Sequence, residues 1–171
     1  MVFREKLFAV MLTASIVILT TTVPYLTLVN VFLFLGIFMA GSVGLNRSIL
    51  RFQVRLPYNE AFILAFFGGV VGGILSEAVS WVLMETLSYR PGTESLSLVI
   101  SWVLEMARDR PELNQQVQSL LEAEKLALAP LSLSLTDLVQ SMLFSAAFYA
   151  PIAGFGGMWA VFRLKRKAAR R

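Results

Sequence analysis

The chain has 171 residues, 57% of them hydrophobic, with a mean hydropathy of +0.70 and a formal net charge of +4. Soluble domains average ~45–50% apolar residues even with Gly counted, so lipid is the expected solvent here. With neither Cys nor His, the chain has no disulfide, no thiol nucleophile, no imidazole base and none of the commonest zinc, copper or haem ligands, so no metal or cofactor is expected.

The first apolar stretch runs from Leu7 to Leu45, about twice what one helix needs to cross a bilayer at ~1.5 Å per residue. It therefore has to fold back, and Pro24 marks the turn because it lacks a donor and disfavours helix in Val23. Spans of about 7–23 and 26–45 result. Arg4 and Lys6 before the first span also fit a signal peptide, but the small-residue cleavage pattern is missing, so an uncleaved helix is expected.

In the segment after the second span, Arg47, Arg51 and Arg55 recur every four residues, while Arg51 to Leu56 also alternates like a strand. Periodicity leaves its structure open. In either form it is a basic collar at the lipid headgroups, together with Lys165, Arg166 and Lys167 of the tail.

The third span covers about 61–83 and contains Glu77, which follows Ala65, Gly69 and Gly73 in four-residue steps and so lies on the close-packed face. It stands ~7 Å from the middle of the span, at the depth of Thr20, Asn30 and Ser145 on the other spans. An intramembrane polar layer of Glu77, Asn30, Thr20 and Ser145 is expected. A carboxyl group there has to be protonated, hydrogen-bonded or reached by water. Two roles fit it, a structural clamp or a site that handles protons or cations.

Residues 88–133 form a loop with helices of its own. Leu96, Val99, Trp102, Val103 and Met106 make one apolar stripe, and Leu113, Val117, Leu120 and Leu121 make another after Pro111. An amphipathic hairpin is expected, lying on its own bundle or on a partner. The fourth span, about 138–162, opens on a capping-box variant, Ser134 to Asp137, contains Pro151, and ends in the basic tail 163–171.

Eleven of the fifteen basic residues flank the spans on one side. Positive-inside reasoning puts both termini and the 46–60 loop in the cytoplasm, and 88–133 outside. The expected fold is an all-α integral membrane protein of one domain, 1–171: a four-transmembrane-helix bundle in the cell membrane, with an extracytoplasmic helical hairpin between spans three and four. Gly36, Ala40 and Gly44, then Gly68, Gly69, Gly72 and Gly73, then Gly154 and Gly157 provide small faces for helix packing, within the bundle or against another chain.

No nucleophile-and-base set, phosphate loop or intramembrane aspartate pair is present, so an enzyme is not expected and no catalytic residue is assigned. The basic surplus lies beside apolar runs, which suits the lipid bilayer as partner and not nucleic acid. The expected function is a non-catalytic accessory or structural subunit of a larger membrane complex. The alternative is a small oligomeric transporter or channel that uses the layer around Glu77 and Asn30.

Overall fold

The computed structural model describes residues 1–31, 33–107, 118–122, 125 and 134–169. Among these residues the regular structure is entirely helical. The elements are α1 (Phe3–Thr22), α2 (Leu28–Val31), α3 (Leu35–Phe52), α4 (Tyr58–Leu87), α5 (Thr93–Ala107) and α6 (Leu135–Ala168).

Three of them, α1, α4 and α6, are long and apolar enough to cross a membrane. With 30 and 34 residues, α4 and α6 reach about 45 and 51 Å, well beyond a hydrocarbon core of ~30 Å. The second half of α3 carries Asn46, Arg47 and Arg51, which lowers its hydropathy below that of the other three.

Helix ends follow local chemistry. Before Pro24, Val23 is extended and α1 stops at Thr22. The stretch read as one second span is divided: Leu33 and Phe34 take left-handed φ values of 52° and 55° between α2 and α3. Gln53, with φ 51°, ends α3, so Arg47 and Arg51 lie one helical turn apart on one face and Arg55 falls beyond the helix. At the start of α6, the Ser134 amide donates to Asp137 at 3.1 Å and Ser134 Oγ accepts from the Thr136 amide at 3.1 Å, the expected capping box. Helix α6 continues through Pro151.

Helix α4 packs against α6 and α1, and α3 packs against the same two helices from the other side. Their contact surfaces are made of small residues. Gly68 and Gly72 turn to Thr13 and Val17 of α1, whereas Gly69 and Gly73 turn to Tyr149–Ala150 and Ser145–Ala146 of α6. Adjacent positions differ by ~100° around a helix, so α4 presents one glycine stripe to each neighbour. A Cβ at Gly69 would stand 2.7 Å from the Ala150 Cα, and one at Gly41 or Gly156 would strike the carbonyl of Ala153 or Phe38.

Bulk lies on the outside. Phe67, Phe144, Phe155 and Trp159 are exposed, while the core holds Ala14, Ala40, Ala65, Ala150 and Ala153 beside Val17, Ile37 and Leu45. That distribution inverts the pattern of water-soluble proteins and suits helices that associate by close backbone approach in lipid.

Most of the described basic residues gather at one end. Lys6 pairs with Glu60 at 2.9 Å, the Arg51 guanidinium lies 4.6 Å over Phe8, and Lys165 Nζ lies 4.1 Å over Tyr58. Ends of α1, α3, α4 and α6 meet there around Leu45, Leu56, Leu64 and Val161.

Candidate functional site

At the end opposite the basic residues, the expected polar layer resolves into two separate constructions. The first is built on Asn30. Its Nδ2 donates to the Thr20 carbonyl at 2.9 Å, and its Oδ1 accepts from the Ile37 amide at 3.2 Å. The Thr20 carbonyl in the last turn of α1 faces Pro24, which has no amide to donate, while the Ile37 amide in the first turn of α3 also reaches the Phe34 carbonyl at 3.0 Å, and one side chain bridges the two. Gly36 makes room for it, since a Cβ there would stand 2.5 Å from Asn30 Oδ1. The Thr20 hydroxyl turns back onto the Val17 carbonyl at 3.0 Å. Asn30 thus staples the turn between two helices.

The second construction is built on Glu77. Ser145 Oγ of α6 donates to Glu77 Oε1 of α4 at 2.5 Å, the pairing expected from matched depth. Glu77 opens on a cavity of about 330 Å³ between α1, α4, α6 and the segment after α4. Thr21, Ser80, Ser141 and Tyr149 contribute polar atoms to its wall. Arg90 lines it as well, so a basic residue from beyond the end of α4 contributes to the same cavity as Glu77. Sequence reasoning counted only cations within the spans and missed Arg90; its place two residues after Ser88, where α4 ends, was the available signal.

The hydroxyls of Ser76 and Ser141 are held by the carbonyls of Gly73 and Leu138 at 2.9 Å each. They line the cavity as fixed dipoles. Tyr89, outside the apolar spans, donates to Glu94 at 3.2 Å. Partial burial, followed by the adjacent Glu94 charge, raises its pKa above the ordinary tyrosine value.

Towards the basic end the polar wall stops. The next layer is Val17, Ile37, Ala40 and Ala153, with Gly44 and Gly68 closed over Thr13. Thr13 Oγ1 is buried there without a hydrogen-bond partner among the described residues. Gly154 meets Phe62, and Gly157 meets Ala61 and Ala65. The small residues expected to pack helices are thus occupied by other parts of the same chain.

Around the basic end, Arg47 and Arg51 line a groove between α1 and α3, whereas Arg55 and Lys165 line another between α3 and α6. Arg166 and Lys167 are exposed on the last turns of α6. Above the opposite end, α5 buries Ser95, Ile100 and Ala107 and leaves Trp102, Leu104 and Met106 exposed. The Ser95 hydroxyl bonds to Thr27 beside α2, tying α5 to the turn below it. Leu113 and Val117 of the expected second hairpin helix lie outside the described residues.

Comparison with known protein families, curated proteins and solved structures finds no match to this chain.

Proposed function

We propose that the chain is a non-catalytic subunit of a larger complex in the cell membrane, crossing the bilayer four times with both termini in the cytoplasm. In this reading α1, α3, α4 and α6 are the spans, the basic end is cytoplasmic, and α5 begins an external helical hairpin that meets a partner. The observation that carries it is the sealed interior. Beneath the Glu77 cavity, Val17, Ile37, Ala40 and Ala153 fill the core, so the described residues of a single chain offer a solute no polar route.

A role by contact then fits better than a role by passage. With the glycine faces occupied internally, the partner surface is sought on the exposed apolar side of α5, at Trp102 and Met106. Affinity purification after mild detergent extraction tests this. The expected result is a partner chain in fixed stoichiometry, released by Trp102→Glu with Met106→Glu.

A second reading, an oligomeric transporter, is favoured by one observation: the Glu77 carboxyl and Arg90 share an open cavity. A pathway would then form between copies. Glu77→Gln is expected to keep the fold, since an amide oxygen still accepts from Ser145. A homo-oligomer without other chains, with ion flux in liposomes abolished by that substitution, would replace the subunit reading with the transporter.

A further inference from the structure

We infer that the groove between α1 and α3 at the basic end seats an anionic phospholipid, its phosphate held by Arg47, Arg51 and Asn46 and an acyl chain lying along Leu12, Ile16 and Val43. All six residues line one cavity of about 730 Å³.

The helical path of α3 through Phe52 sets this up. It puts Arg47 and Arg51 on one face, a turn apart, where an extended strand would have spread them along an edge. Arg51 is pre-positioned: its guanidinium lies 4.6 Å over Phe8 and 5.7 Å over Phe52, and the two rings meet edge to face at 5.5 Å. A fork held against two aromatic rings loses less freedom when it closes on a phosphate. A cation–π contact places no acceptor on its N–H groups, which stay able to donate.

Charge and shape select the occupant. Among the described residues no acidic side chain lines the groove. Glu5 shares the adjoining cavity with Arg51, but its Oε2 accepts from the Val2 amide at 2.9 Å. The only described salt bridge, Lys6 with Glu60, uses neither arginine. From the cationic end, the walls turn aliphatic toward the middle of the helices, with Leu12 and Ile16 one and two turns beyond Phe8 on α1. Val43 lies one turn before Arg47 on α3. Polar donors at one end and an apolar trough behind them match an anionic headgroup with its chain. A soluble anion would use the arginines alone.

The test compares phosphatidylglycerol with phosphatidylcholine on the purified full chain in nonionic detergent, by native mass spectrometry and by melting temperature. Phosphatidylglycerol is expected to be retained about thirtyfold better, as two near-surface arginines imply, and to raise the melting temperature. Arg47→Gln with Arg51→Gln should abolish that preference, while Arg166→Gln with Lys167→Gln, equal in charge but outside the groove, should keep it. Equal loss in the tail variant would overturn the proposal in favour of diffuse charge. So would a full thermal shift from glycerol phosphate, which has the headgroup chemistry without chains. If the arginine variant does not fold, Leu12→Trp fills the trough and keeps both charges; preference surviving in that variant would also overturn the proposal.

Discussion

Thr13 shows how closely single side chains are constrained. Its hydroxyl is fully buried against Gly44 and Gly68 and has no partner among the described residues. An unsatisfied buried polar group costs ~1–3 kcal/mol, so Thr13→Val, which keeps the branched shape, is expected to stabilise the protein by about 1 kcal/mol in detergent unfolding. Asn30 is the opposite case, because its amide serves both Thr20 and Ile37. Asn30→Ala should cost about 1–2 kcal/mol, in the range of a lost cap plus an orphaned carbonyl. Gly69 tolerates even less, since any side chain there meets the backbone of α6 at Tyr149 and Ala150. Gly69→Val is expected to destabilise by at least ~1–3 kcal/mol, and its melting curve beside that of Thr13→Val distinguishes a backbone clash from a simple change of polarity.

The helix elements were largely legible in the sequence because apolar length and Pro24 act locally. The division between α2 and α3 was not. Leu33 and Phe34 carry no turn signature, and their left-handed backbone sits where Asn30 ties the end of α1 to the start of α3. The depth argument set Glu77 level with Ser145, and a hydrogen bond joins the two between α4 and α6. It could not foresee that Asn30 would be spent on backbone groups, or that Arg90 would reach the cavity from beyond α4. The end of α4 carries a pH signature of its own. Neutral Tyr89 donates to Glu94, and its folded pKa is raised above the unfolded value. The contribution is complete below the unfolded tyrosine pKa of about 10 and is lost as pH rises through the folded value. Phenolate absorbance of wild type minus Tyr89→Phe should therefore show one tyrosine titrating above the usual range, and a difference curve centred at the ordinary value would refute the contact.

At the scale of the whole molecule, small residues inside and bulky apolar residues outside describe a protein built for lipid, with most of its described basic residues at one end. The proposed fourth crossing is α3, which lies beside α1 and α6, although its own second half is too polar to announce itself as a span. The absence of native cysteine makes the decisive measurement clean: single cysteines at Gln53, Ser97 and Ala168, probed in intact cells with a membrane-impermeant maleimide. Four crossings with cytoplasmic termini predict that the Ser97 site reacts from outside, while the Gln53 and Ala168 sites react only after permeabilisation. Labelling of the Gln53 site from outside, or of the Ser97 and Ala168 sites from the same side, would contradict the account.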